Sequence, residues 1–221
     1  MKKTPVLVDW DGTAVEKLDW KRHPIRNSRK DPLAPLEGFA DFLTGVGWTG
    51  SAEVAGIVSR RRSWQQRQRV TARSIADAGV EQFFTPDNTF LLDDEKRKGR
   101  FIGQQALQGR IGFIEDQPHK LVPEIISGFV VDSSFADDKP RIDIVMGVVN
   151  HPQMSYRIQA LHAVLQEPKA SLAVRDVERT QEGGLEISGT SLAGNFGILV
   201  VPLEPYSFDT GLAFASTLQE A

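Results

Sequence analysis

The sequence predicts an α/β fold built on a central parallel sheet. Short apolar runs at Val6–Val8, Val54–Val58, Ile111–Ile114 and Ile142–Val149 read as strands. They do not alternate with polar residues, so both faces of each strand are expected to be covered. Segments with helical spacing separate them, and that order implies βαβ units. In such sheets ligands sit beyond the carboxyl ends of the strands. Asp9, Ser59 and Glu115-Asp116 all fall at such ends, so residues distant in sequence are expected to converge there.

The elements follow in order. Val6-Leu7-Val8 is the first strand, and the polar, Pro-containing stretch 14–33 after it is irregular. Leu36 to Leu43 has near-helical apolar spacing, with Gly45 and Gly47 as the expected stop. Val54–Val58 ends at Ser59. A polar helix over 63–78 is expected to turn Trp64, Val70 and Ile75 inward and to stop at Gly79. Phe83-Phe84 and Thr89–Leu92 form a third strand region, and Lys98–Leu107 suits a helix. The fourth and fifth strands are Ile111–Ile114 and Ile142–Val149. Beyond residue 152, Tyr156–Leu165 is helical and Pro168 breaks it. Ser171–Val177, Leu185–Ser188 and Phe196–Val201 read as strands, with turns at Gly183-Gly184 and Gly194-Asn195. Residues 168–204 thus form a β-rich appendage. The expected division is a core over 1–152 and a helix plus β-rich extension over 153–221.

Composition narrows the function classes. The chain has 221 residues, 40% hydrophobic and 25% charged, within the globular range. A net charge of −3 gives no global argument for nucleic acid or membrane. Without cysteine there are no disulfides or thiolate metal sites, which fits a reducing compartment. No apolar run approaches the ~20 residues of a membrane span. After the basic Met1-Lys2-Lys3, the run Val6–Val8 is too short for a signal peptide, and cytoplasm is the expectation.

The chemistry concentrates in Val6-Leu7-Val8-Asp9-Trp10-Asp11-Gly12-Thr13. A buried strand ending in two carboxylates one residue apart is costly unless they are neutralised. A hard divalent cation such as Mg²⁺ does that with oxygen ligands. Here the chain resembles the haloacid-dehalogenase-like (HAD) phosphohydrolases, whose first signature is a strand ending in Asp-x-Asp-Gly-Thr. The resemblance covers residues 4–150. It implies a Rossmann-like three-layer core and a mechanism through an aspartyl-phosphate. Asp9 matches the nucleophile and Asp11 the general acid and base, with the Asp11 carbonyl also on the metal. Ser59 matches the hydroxyl that binds a phosphoryl oxygen, although it also suits an ordinary helix N-cap. Lys98, with Lys96 as the alternative, matches the lysine that offsets phosphate and carboxylate charge. Asp116 matches a direct Mg²⁺ ligand and Glu115 one acting through water, or the reverse. Gly12, Thr13, Arg60 and Arg61 are the expected substrate contacts.

Caps in this family follow the first motif or lie between the second and third. Here only residues 14–33 are left over, enough for a small flap, so the site is expected to be open and to suit large substrates. Lys17, Lys21, Arg22, His23, Arg26, Arg29 and Lys30 in that flap, with Arg60-Arg61-Arg62, Arg67, Arg69 and Arg73, form a basic rim that suits a polyanion. Trp10, Trp20 and Trp64 are candidates to stack on bases. His119 and His151 follow strand ends and are expected to be structural, with Asn150-His151-Pro152 the better placed for a substrate contact. The expected function is Mg²⁺-dependent phosphomonoester hydrolysis, with nucleic-acid or nucleotide phosphates leading. The alternatives are a phosphate-binding or regulatory module and a phosphotransferase. No feature of the sequence sets the oligomeric state.

Overall fold

In a computed structural model the protein is described over residues 2–16, 34–60, 68–131, 142–149, 154–167, 173–191 and 194–221. Eight strands form one sheet in the order β3-β2-β1-β4-β5-β8-β7-β6. They are β1 (Thr4–Val8), β2 (Ala52–Arg60), β3 (Thr89–Leu92), β4 (Ile111–Glu115), β5 (Ile142–Val149), β6 (Val174–Arg179), β7 (Leu185–Ser191) and β8 (Gly194–Leu203). Strands β1 to β5 and β8 run parallel, whereas β7 is antiparallel to β8 and β6 to β7.

The described helices are α1 (Phe39–Trp48), α2 (Gln68–Asp77), α3 (Glu95–Ala106), α4 (Pro118–Val131), α5 (Met154–Leu165) and α6 (Phe208–Glu220). They cover both faces of the sheet. Leu7, Val58, Phe113, Met146 and Val200 pack with side chains of α3, α4 and α5. Val6, Val8, Ile57, Ile114 and Val145 pack with α1, α2 and α6. Neighbouring residues of one strand therefore enter opposite cores, which is why the strands read as unbroken apolar runs.

Three expectations change. The β-rich C-terminal segment is present, but it continues the sheet instead of standing apart: β8 pairs with β5 along its whole length, and Leu185, Ile187, Phe196 and Ile198 share the core of α4 and α5. Helix α1 runs through Gly45 and Gly47. Gly45 lies against the Phe208 carbonyl and Gly211 against the Phe42 carbonyl, so these glycines let α1 and α6 approach backbone to backbone. Two helices the sequence reading passed over complete the layers. In α4, Leu121, Val122, Ile125, Ile126 and Phe129 form a buried stripe despite Pro123. In α6, Ser207 caps the first turn, its hydroxyl accepting from Thr210 N–H. Phe83-Phe84 is a turn, and β3 starts only after a short 3₁₀ helix over Pro86–Asn88.

Strand order reverses at β1, which has β2 on one side and β4 on the other. Crossovers leave β1 and β4 toward opposite faces, so a crevice opens at their carboxyl ends. No helix among the described residues is long and apolar enough to cross a membrane.

Candidate functional site

The crevice holds the carboxylates singled out in the sequence. Asp9 directly follows β1, Glu115 is the last residue of β4 and Asp116 follows it. The three residues are 5%, 1% and 1% exposed. One oxygen from each lies within 4.8 Å of the others, a spacing that could hold a metal ion.

Lys98, in the first turn of α3, lies between two of them. Its Nζ donates to Asp9 Oδ1 at 2.8 Å and to Glu115 Oε2 at 2.6 Å, and it is 2% exposed. The ammonium also lies 5.4 Å from the centroid of the Phe113 ring. Lys96, two residues back on the helix, is exposed, so of the two sequence candidates only Lys98 reaches the cluster. Burial would lower the Lys98 pKa, but Asp9 and Glu115 outweigh it and hold the ammonium protonated. For the acids burial is the largest influence. It pushes Glu115 up to about 8 against the pull of Lys98, and it pushes Asp9 up as well, with help from Asp116 and Asp11.

Glu115 also caps α4: its Oε1 accepts from the N–H groups of Asp116 at 2.9 Å and Gln117 at 2.8 Å. A carboxylate is favourable at a helix N-terminus. Both Glu115 oxygens are therefore engaged by protein donors, and so are both of Asp116: Oδ1 accepts from Gln117 Nε2 at 3.2 Å and Oδ2 from Arg157 Nη1 at 3.1 Å.

The loop after β1 is tightly wound. Asp11 is half-buried, at the edge of the crevice. Gly12 has φ +90°, and a Cβ there would stand 2.8 Å from Asp116 Oδ2. Its N–H donates to the Val15 carbonyl at 2.8 Å. Thr13 is fully buried; its hydroxyl lies 3.4 Å from Asp9 Oδ2 and its carbonyl accepts from the Tyr206 hydroxyl at 2.8 Å. Gly12 N–H and the Thr13 side chain, expected on the substrate, thus shape the loop from within. Replacing Gly12 with Ala should destabilise the fold by about 1–3 kcal/mol through its left-handed φ and the Asp116 clash. Urea unfolding of the variant checks this, and an unchanged midpoint would contradict it.

The chain then returns on itself: Glu16 N–H donates to the Ala34 carbonyl and Leu36 N–H to the Ala14 carbonyl, making a stem at the base of residues 17–33. Trp10 anchors the loop from below. It is 0% exposed, its Nε1 donates to Ser74 Oγ at 3.0 Å, and its ring meets Phe39 and Phe84 edge-on. The expected stacking of Trp10 on bases is therefore excluded by burial.

Ser59, near the end of β2, is 1% exposed, and its Oγ has no hydrogen-bond partner among the described residues. It is not the N-cap of α2, which begins at Gln68. An unsatisfied buried hydroxyl is costly, and it suits a ligand oxygen. Arg60 is exposed and lies 3.5 Å from Glu95, which itself lies 3.9 Å from Lys98. His119 is half-buried in the first turn of α4. The flap residues Lys17 to Lys30, Trp20, Arg61, Arg62, Trp64, Arg67, Asn150, His151 and Pro152 lie outside the described residues.

Two contributors were not read from the sequence. Tyr206, from the β8–α6 connection, packs on Phe39 and Phe42 and holds the Thr13 carbonyl. Burial, with Asp116, Asp9 and Glu115 nearby, keeps its phenol protonated far above the usual range. Arg157, from α5, reaches Asp116. Neither has a local motif; each is delivered by segments that only the full sheet brings to the crevice. Set against protein-family models, curated proteins and solved structures, the chain matches none of them.

Proposed function

We propose that the protein is a Mg²⁺-dependent phosphomonoester hydrolase of the HAD-like type, working through an aspartyl-phosphate on Asp9. The observation that carries this reading is the buried Lys98 bridging Asp9 and Glu115, with the unpartnered Ser59 hydroxyl at the end of the neighbouring strand. A purely structural ion pair would not require an orphaned hydroxyl near the same end of the adjacent strand.

The donor set fits Mg²⁺, which prefers hard oxygen ligands. Asp9, Asp116 and the Asp11 carbonyl would hold it. When bound it would shield the carboxylates from an incoming phosphate and offset charge on the transferring group.

The chain's own residues supply the rest. Lys98 holds Asp9 Oδ1, and Oδ2, 3.4 Å from the Thr13 hydroxyl, is the oxygen that would attack phosphorus. Ser59 donates to a phosphoryl oxygen. As the P–O bond to the leaving group breaks, Asp11 gives that oxygen a proton. Water then attacks the aspartyl-phosphate and Asp11 takes the proton back, releasing inorganic phosphate and regenerating Asp9. Trp10 and Tyr206 hold the loop that carries both aspartates.

Nucleotide or nucleic-acid phosphates are the proposed substrates, on the basic residues of 17–30 and 60–73. The test is phosphate release with Mg²⁺ or chelator from aryl phosphate, nucleotides, 3′- and 5′-phosphorylated oligonucleotides and sugar phosphates. Metal-dependent release, highest on oligonucleotides, is expected. Release from small phosphates alone would remove the nucleic-acid assignment, and no release from any of them would remove the hydrolase.

A further inference from the structure

Asp116 is gripped from a side that the carboxylate motifs do not contain. Arg157 lies in the first half of α5 and is 9% exposed. Its Nη1 donates to the main-chain carbonyl of Asp116 and, at 3.1 Å, to Asp116 Oδ2. That Oδ2 is also the atom a Cβ on Gly12 would meet first, at 2.8 Å. It therefore lies between a guanidinium and the loop that carries Asp9 and Asp11.

The charges around the cluster are divided. Lys98 counters Asp9 and Glu115, and Arg157 pairs with the third carboxylate, Asp116, whose Oδ1 accepts from Gln117 Nε2 at 3.2 Å. A divalent cation within the 4.8 Å cluster would share Asp116 with Arg157. Two like charges that close in a water-poor crevice repel strongly. The two Arg157 contacts differ in what a metal would do to them. The bond to the main-chain carbonyl does not compete for a carboxylate oxygen, whereas the contact to Oδ2 does.

We propose that Arg157 is a positioning residue that stands in for the metal's charge on Asp116 and sets the metal affinity of the site. It keeps the end of β4 in place through the carbonyl and yields Oδ2 when a divalent cation binds. This rests on the metal reading given above. Its consequence is a site that binds metal weakly in the free protein, because loading must displace a resident cation from one ligand.

The test is calorimetric titration of the full chain with Mn²⁺ after treatment with chelator, for wild type, Arg157→Met, Arg157→Gln and Arg157→Lys. Met removes the charge and the donors. Gln removes the charge and keeps a donor for the carbonyl, so it carries the test if Met does not fold. Both neutral variants are expected to bind Mn²⁺ about tenfold tighter than wild type, and Lys within about threefold of it. Thermal melting gives a second readout. With chelator the neutral variants should melt below wild type, and Mn²⁺ should raise their melting temperature by more than it raises that of wild type. Mn²⁺ binding that is unchanged or weaker in the neutral variants would overturn this inference alone, making Arg157 a prop for Asp116. No Mn²⁺ binding by any of the four would overturn it together with the metal assignment. Tighter Mn²⁺ binding by the neutral variants than by wild type, with no phosphate release by the wild type, would leave it standing and remove the hydrolase.

Discussion

Asp9→Asn should lose at least about 10⁴-fold in phosphate release while folding as well as the wild type. The two effects separate because of where Asp9 sits. The amide has nearly the same shape, but its oxygen is a poor nucleophile, and no aspartyl-phosphate can form. In stability terms the buried carboxylate is a burden: burial and the neighbouring Asp116 and Asp11 push its pKa up against the pull of Lys98. A neutral side chain relieves that penalty, and Lys98 retains Glu115 Oε2 at 2.6 Å. With chelator present, the variant should therefore melt at or above the wild-type temperature. The measurements are single-turnover release on the preferred phosphomonoester and a melting curve of the same sample. A folded Asp9→Asn protein with wild-type turnover would remove the covalent mechanism.

Lys98→Met should do the opposite in stability. It leaves Asp9 and Glu115 buried without their shared cation, and breaking a buried pair from one side costs about 3–5 kcal/mol. Asp116 lies in the same cluster, so mutual repulsion adds to desolvation. The loss should be largest in chelator and should grow as the pH rises from acid through neutral, because without Lys98 the two acids resist ionisation still more. Divalent metal should restore part of it by taking over the missing positive charge. Urea unfolding with and without Mg²⁺ reads both effects. A shift below about 0.5 kcal/mol, the range of surface substitutions, would contradict the central role given to Lys98. The pair of variants separates the proposed chemistry from the scaffold: Asp9→Asn is expected to remove turnover at little structural cost, and Lys98→Met to remove the cation that lets the acids coexist.

Much of the sheet was legible because burial on both faces leaves a local mark. Val6–Val8 and Ile111–Ile114 read directly as strands, and Ile142–Val149 is residue for residue β5. The convergence of Asp9 and Glu115-Asp116 followed from one rule about parallel sheets, without any distance. Helix α4 was hidden by Pro123, which interrupts the propensity but not the stripe of Leu121, Val122, Ile125, Ile126 and Phe129. Gly45 read as a helix stop because propensity is local, and the close approach of α6 that requires a glycine there is not.

The sequence by itself determined the α/β class, the carboxyl ends where the acids meet, and the residue types at the crevice. These depend on apolar runs and short motifs, which are properties of neighbouring residues. Tertiary structure decided what neighbours cannot encode. It selected Lys98 over Lys96, because only the inward face of α3 points at β1 and β4. It engaged Glu115 with Lys98 and the start of α4, and it gathered Asp9, Glu115 and Asp116 within 4.8 Å. It buried Trp10 under the loop, joined the C-terminal strands to the sheet, and delivered Tyr206 and Arg157 to the crevice. The bonds from Lys98 to Asp9, Trp10 to Ser74, Tyr206 to Thr13 and Arg157 to Asp116 join segments tens of residues or more apart, and only closure of the whole sheet brings those segments within hydrogen-bond range.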